Sequence, residues 1–439
     1  MRYQYLPAVD PQIAGYVEGE ERRQAFGLEL IASENYVSAA VMEAMGSVFN
    51  NKYSEGYPGR RYYGGQEYTD LVETDAIERA KKLFGAAHAN VQPHAGAIAN
   101  LAAYLALASL GDTIMGMELS HGGHLTHGHP VTHAAKMFRF VRYKMKDIAT
   151  GEIDYDDMLE VARREKPKII IAGFSAYSRE LDYARIRAIA DDVGAFALAD
   201  VAHIAGMIAG GALANPFDAG FDVVTTTTHK SLRGPRGGLV LSRDPKIGKK
   251  IDSSVFPGLQ GGPIMQMIAA KAVCFHEALQ PQFKDYAHQT IRNAKAMAER
   301  FTEHGVTIVS GGTDNHLMLI DCRKNFDKSG NDVQVLLDDV GITLNKNMVP
   351  DDTAKALDPS GIRLGTPALT TRGMREPEMR TAVDLMVRAI KAHGKDELDA
   401  VRHDVVALAS GFPVPGITVE PSANGGARDG GTRAAQPVT

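Results

Sequence analysis

Only two cysteines, Cys274 and Cys322, occur in 439 residues, and no CxxC-type spacing links them. That count leaves no basis for a disulfide framework or a cysteine-rich zinc site, and it fits a reducing, cytoplasmic setting. Long apolar runs are missing too: no uncharged, continuously apolar run reaches the roughly 20 residues of a membrane span. The first thirty residues carry Glu18, Glu20, Glu21, Arg22 and Arg23 where a signal peptide would be continuously apolar. Charge of one sign is also scarce. Against 53 Asp and Glu stand 48 Lys and Arg, a net charge of −5, too mild and too mixed for a nucleic-acid stripe. The partners expected are therefore small molecules, with no nucleic acid and no membrane. What the chain does have is 44% hydrophobic residues, enough at roughly 100–200 residues per domain for one large core and a smaller one.

Apolar spacing predicts helices over 71–84 and 97–110, with Gly85 and Gly111 as stops, while Thr113–Met115, Ile169–Ala172, Ala195–Ala199 and Val223–Thr228 read as short buried strands. Strand and helix alternate, as in a mainly parallel sheet covered on both faces, so polar residues at strand ends carry the most weight. From residue 282 a long amphipathic helix, further strands at Val306–Ser310 and His316–Asp321, and helices through Ala409 suggest a smaller α+β domain. The expected division is an N-terminal arm over 1–40, a large domain over 41–280, a small one over 281–417, and a disordered tail over 418–439, which is too poor in apolar side chains to offset its ordering entropy.

Several strand ends look chemical. Thr225-Thr-Thr-Thr-His-Lys230 ends a β-branched strand in a lysine followed by Gly234-Pro-Arg-Gly-Gly238. Desolvated there, the amine moves towards the neutral form that attacks carbonyls; a solvated turn lysine is the alternative. Ala197-Leu-Ala-Asp200 brings a carboxylate to another strand end, suited either to pair with a protonated pyridine nitrogen or to cap the next turn. Pro93-His-Ala-Gly96-Ala97 opens a helix whose amides can meet a phosphate. His121, His124 and His127 recur at three-residue spacing between glycines, for stacking on a cofactor or for loop packing, with no metal expected. Arg363, in Ser360-Gly-Ile-Arg-Leu-Gly, offers a planar fork for a carboxylate or for an interdomain ion pair. Four tyrosines and Glu55 crowd the glycine-rich loop from Tyr53 to Gly65, a composition suited to a site loop.

Together these segments resemble serine hydroxymethyltransferases. The resemblance rests on Leu28-Glu-Leu-Ile-Ala-Ser-Glu-Asn35, the tyrosine loop, Val91-Gln-Pro-His94, His121-Gly-Gly-His-Leu-Thr-His127, Gly173-Phe-Ser-Ala-Tyr177, Thr225 to Lys230, Phe256-Pro-Gly-Leu-Gln-Gly-Gly-Pro263, Ser310-Gly-Gly-Thr-Asp-Asn-His316 and Ser360-Gly-Ile-Arg363. It implies an α/β, aspartate-aminotransferase-like fold (fold type I of pyridoxal-phosphate enzymes), with a large, mainly parallel seven-stranded sheet domain and a smaller α+β C-terminal domain. The implied cofactor is pyridoxal 5'-phosphate and the implied co-substrate tetrahydrofolate, in the reversible conversion of L-serine to glycine with formation of 5,10-methylenetetrahydrofolate.

By the same matching Lys230 is the Schiff-base lysine, Asp200 the partner of the pyridine nitrogen and His124 the stacked imidazole. Ser175 and His203 bind the ring oxygen, and Gly96, Ala97, Thr227 and His229 complete the cofactor set. Arg363 and Ser33 hold the substrate carboxylate, Glu55 transfers protons, and Tyr63 sits in the substrate shell. Tyr53 and Gly262 come from a neighbouring subunit, which implies a homodimer or a dimer of dimers. Leu119, Gly123, Leu125 and Asn347 line the pterin site. Two departures stand out: Ala97 lacks a hydroxyl expected on the phosphate, and His129 replaces a small residue beside the folate loop. They motivate an alternative, a relative acting on another β-hydroxy amino acid: an α-methylserine hydroxymethyltransferase or a threonine aldolase or transaldolase.

Overall fold

The computed structural model describes residues 3–419, so nearly all of the tail expected to be disordered lies outside the described residues. Seven strands form the central sheet: β1 His88–Asn90, β2 Thr113–Met117, β3 Arg139–Tyr143, β4 Ile169–Gly173, β5 Phe196–Asp200, β6 Val223–Thr227 and β7 Gly238–Ser242. Their spatial order is β1-β7-β6-β5-β4-β2-β3, with β6, β5, β4, β2 and β3 mutually parallel and β7 antiparallel to both neighbours. Every residue of β4 and β6 is buried, which is why they read as unbroken apolar or β-branched runs; a parallel sheet is covered on both faces. Asp200 lies in register with Gly173 and with Thr225. Three carboxyl-terminal strand ends therefore open side by side, and the chain leaving them carries Ser175, His203 and Lys230.

Two helices expected from spacing form, with shifted ends. One runs from Glu67 to Phe84 and stops at Gly85 in the left-handed conformation (φ 68°), where glycine has no steric penalty. The other spans Gly96–Leu107, ending before Gly111 because Ala108 is already extended.

A second, antiparallel sheet contains β8 Leu317–Asp321, β9 Asn345–Asn347 and β10 Gly361–Gly365 in the order β8-β10-β9. The strand expected over Val306–Ser310 does not extend: it makes one bridge, Ile308 to Ile320, and then turns at Val309–Gly311 with Ser310 at φ 66°. The carbonyl of Ser310 is taken by the Arg179 guanidinium at 2.9 Å instead of by a strand neighbour.

Two large apolar clusters accompany the two sheets. The second gathers Leu28 and Leu30 with Ala294 to Phe301, β8, β10 and the C-terminal helices, and Leu28–Glu29 pairs in parallel with Ile342–Thr343. The helix Pro281–Glu303 places Phe283 and Tyr286 in the sheet cluster and its last turns in the second. One rigid rod thus joins both cores.

Gly173 is where sheet packing meets the strand-end residues. A Cβ there would lie 2.6 Å from the Asp200 carbonyl oxygen and 2.8 Å from its Cβ. Gly173→Ala is expected to cost about 1–3 kcal/mol by overpacking, lowering the thermal midpoint and displacing Asp200. A midpoint equal to that of the unmodified protein would refute the close packing.

Candidate active site

Lys230 leaves β6 through a turn that the glycine loop closes. Thr228 donates through its amide to the Gly237 carbonyl at 3.1 Å and accepts from the Gly234 amide at 2.7 Å, which folds the loop back over the strand end. The lysine is 9% exposed, and its Nζ has no hydrogen-bond partner among the described residues. Burial pushes its pKa down to about 8; the Asp200 carboxylate opposes the shift, and Arg363 and Arg236 add to it. The expected buried amine is therefore present, and the solvated-turn alternative is not.

Asp200 is 8% exposed and hydrogen-bonded on both oxygens. Its Oδ2 accepts from His127 Nε2 at 3.0 Å and Asn100 Nδ2 at 2.8 Å, and its Oδ1 from the Ala202 amide at 3.1 Å. Burial alone would raise the carboxyl pKa, but the His127 hydrogen bond and charge, with help from His124 and Asn100, hold it well below the usual carboxylate range. The turn cap and the buried carboxylate are thus the same group. Sequence reasoning missed His127 and Asn100 as its partners; the regular histidine spacing was the available signal. Ligand atoms of His124, His127 and Asp200 lie within 4.8 Å of one another. His127 Nε2 and Asp200 Oδ2 are joined by a hydrogen bond of 3.0 Å, which a metal bound between them would have to replace.

The remaining groups converge from three other segments. His124 Nδ1 sits 2.7 Å from Thr126 Oγ1, and burial, then His127, pushes its pKa down to about 4. His203 stacks on His316, ring centroids 5.5 Å apart and planes 24° from parallel. Burial drives both pKa values down, His316 to about 3, so the pair is neutral. His316 was quoted in a motif without a role.

Arg363, on β10, donates to the Ser175 carbonyl (2.8 Å) and Oγ (3.0 Å), to Ser33 Oγ (3.4 Å) and to Asn345 Oδ1 (3.1 Å). It is 8% exposed and forms no ion pair among the described residues; burial pushes it down to about 10. The interdomain ion pair is therefore not formed. Neutral oxygens orient the guanidinium, and its charge stays uncompensated.

A cradle of open backbone amides lies at the start of the helix Gly96–Leu107, whose cap residue Ala95 contributes no side-chain bond, leaving the first amides available for an anion. A Cβ on Gly96 would come within 2.6 Å of Thr227 Cγ2, so the cradle needs glycine. His229 Nδ1 accepts from the Gly237 amide at 3.3 Å, and burial holds its pKa near 4.

Tyr53, Glu55 and Tyr63 gather elsewhere. The two hydroxyls donate to Glu55 at 3.3 and 3.4 Å, and the rings meet edge-on at 5.3 Å. A Cβ on Gly262 would lie 3.3 Å from the Tyr53 ring. Arg61 anchors this loop through Asp70 (2.8 Å), Glu73 (2.6 Å) and two loop carbonyls. None of the three side chains bonds to the Lys230 group among the described residues, and both tyrosines are exposed. Leu119, Gly123 and Leu125 occupy the loop after β2, while Asn347 ends β9. His121 Nε2, 3.0 Å from Asp351 Oδ1, ties those two segments together. His129 turns onto its own loop and accepts from the Val131 amide at 3.4 Å.

Known proteins match this chain along nearly all its length. The family model for serine hydroxymethyltransferase matches residues 6–386. Serine hydroxymethyltransferase 1 of Pseudomonas aeruginosa is 54% identical over 415 residues, 94% of this chain and 99% of that protein. The serine hydroxymethyltransferase of Acidobacterium capsulatum is 54% identical over 414 residues, 94% of this chain and 96% of that one. The chain therefore belongs to the serine hydroxymethyltransferase family, enzymes that use pyridoxal 5'-phosphate and tetrahydrofolate to interconvert serine and glycine.

Proposed function

We propose that the chain converts L-serine and tetrahydrofolate to glycine and 5,10-methylenetetrahydrofolate at a site shared between two copies of itself. The observation that carries this reading is Arg363, a buried guanidinium without a counter-charge, facing the strand ends that bear a depressed lysine and an ionised carboxylate. The donor set fits pyridoxal 5'-phosphate, which supplies an aldehyde for amino groups and a protonated ring that takes up the electrons released when the serine Cα–Cβ bond breaks.

Each side chain then has a task that its surroundings support. Lys230, part-neutral near pH 8, offers the amine nucleophile. Asp200 stays ionised and would hold a proton on the ring nitrogen. His124, neutral and fixed by Thr126, would stack on the ring, and Ser175 and His203 would bind its oxygen. Gly96, Ala97, Thr227 and His229 would surround the phosphate. Arg363 and Ser33 hold the serine carboxylate, the guanidinium by its charge and by exchanging bonds to the serine hydroxyls for the carboxylate. Leu119, Gly123, Leu125 and Asn347 line the pterin pocket.

Tyr53, Glu55, Tyr63 and Gly262 form one unit away from Lys230, and exposed Tyr53, Tyr62 and Tyr63 surround it. In this reading that unit completes the partner's site, with Glu55 moving the proton between the serine hydroxyl and the folate. The smallest complete enzyme is then a homodimer, with a dimer of dimers as a further possibility, working in the cytoplasm. The arm over 1–40, large domain over 41–280 and small domain over 281–417 remain the division we favour. No helix among the described residues is long and apolar enough to cross a membrane.

Absorption spectra of the cofactor-loaded protein with glycine test the assignment. A long-wavelength band that grows when tetrahydrofolate is added is the expected result. No folate response would move the assignment to α-methylserine or threonine as substrate. Arg363→Gln should lower kcat/KM for serine by roughly 10²–10⁴, two charged hydrogen bonds at about 1.5–3 kcal/mol each. Its thermal midpoint should fall modestly, because buried hydrogen bonds to Ser175, Ser33 and Asn345 are lost; an unchanged kcat/KM would refute carboxylate binding. Mixing Lys230→Ala chains with Glu55→Gln chains under subunit exchange should restore about a quarter of full activity, since half the dimers are mixed and one of their two sites is intact. No recovery would show that both residues act within one chain.

A further inference from the structure

Lys271 is a buried amine that the proposed reaction does not use. It projects from the helix Met265–Ala278, is 2% exposed, and donates to three backbone carbonyls: Val91 at 2.6 Å, Gly238 at 2.9 Å and Pro93 at 3.2 Å. Three acceptors match the three N–H groups of an ammonium, whereas a neutral amine has only two. The space is reserved for it: a Cβ on Gly237 would come within 2.4 Å of its Cε.

Those carbonyls belong to both walls of the cofactor site. Val91 and Pro93 lie on the short link between β1 and the helix that opens at Gly96. The rest of that link is bonded throughout: the Gln92 amide to Asn90 Oδ1 (3.0 Å), the Gln92 carbonyl to Gln260 Nε2 (3.0 Å), and the His94 amide to Gln260 Oε1 (2.9 Å). Gly238 begins β7, and the preceding Gly237 bonds Thr228 and His229, next to Lys230. The Gly238 amide already bonds the Pro93 carbonyl at 2.9 Å, and the ammonium braces the same seam between the phosphate cradle and the lysine turn. Because Ala97 brings no hydroxyl, the cradle works through backbone amides, whose direction is set by this link.

We propose that Lys271 is a positioning residue for the phosphate end of the cofactor site, fixing the link Val91–His94 so that the amides of Gly96 and Ala97 face the phosphate. The inference rests on the site assignment above. Burial lowers the amine pKa towards 7, and the Glu73 carboxylate, itself held by Arg61 and Gln92, opposes that shift.

Cofactor affinity, measured by fluorescence titration of apoprotein, provides the test, alongside thermal midpoints of apo and loaded forms. Lys271→Met should weaken cofactor binding at least tenfold and shrink the gain in midpoint on loading. Ile268→Ala, a buried apolar change on the same helix, should lower both midpoints together and leave affinity within about twofold. Lys271→Gln, which keeps an amide donor, carries the comparison if the Met variant does not fold, with an intermediate loss expected. Affinity in the Lys271 variants within twofold of the unmodified protein would overturn the inference, as would an equal loss in Ile268→Ala. Failure of the unmodified apoprotein to bind the cofactor at all would instead overturn the site assignment.

Discussion

An ionised carboxylate deep in the protein is costly unless donors surround it, and meeting that requirement at Asp200 organises the site. Its donors arrive from the loop after β2 (His127), from the helix that opens the phosphate cradle (Asn100) and from its own turn (Ala202). Asn100 also accepts from Thr225 Oγ1 at 2.6 Å, which links the carboxylate to the strand that delivers Lys230. The same negative charge tempers the loss of basicity at Lys230, whose pKa is pushed down to about 8. Without those donors the group would take up a proton.

Positive charge is managed differently at the other end. Arg363 is held by serine hydroxyls, a carbonyl and an amide, all neutral, so its direction is fixed without an acid partner among the described residues. Lys271 shows the opposite arrangement, with every donor spent on backbone carbonyls. Both rely on low local exposure, which strengthens each hydrogen bond they make.

Much of the site was legible from residue types at strand ends. A β-branched run ending in His229 and Lys230, an alanine-rich strand ending in Asp200 and a glycine-flanked Arg363 are local patterns, because a parallel strand places its functional side chain where its apolar run stops. His127, Asn100 and His316 were not assigned, since each acts through a partner at least 73 residues away in sequence. The strand expected at Val306–Ser310 failed because a distant guanidinium, Arg179, took the carbonyl of Ser310. Ala97 and His129 were visible as departures, and the fold places one at a cradle built from amides and turns the other onto its own loop.

By itself, then, the amino-acid sequence determined the alternation of strand and helix, the chemical character of each strand end and the family, since burial patterns and motifs are short-range properties. Tertiary structure decided which charges are paired: Asp200 with His127, Lys271 with three carbonyls, Arg363 with no acid among the described residues. It also gathers Glu55, Tyr53 and Tyr63 into one cluster that makes no bond to the Lys230 group among the described residues. Those outcomes depend on which distant segments share a desolvated space, and local sequence carries no record of that.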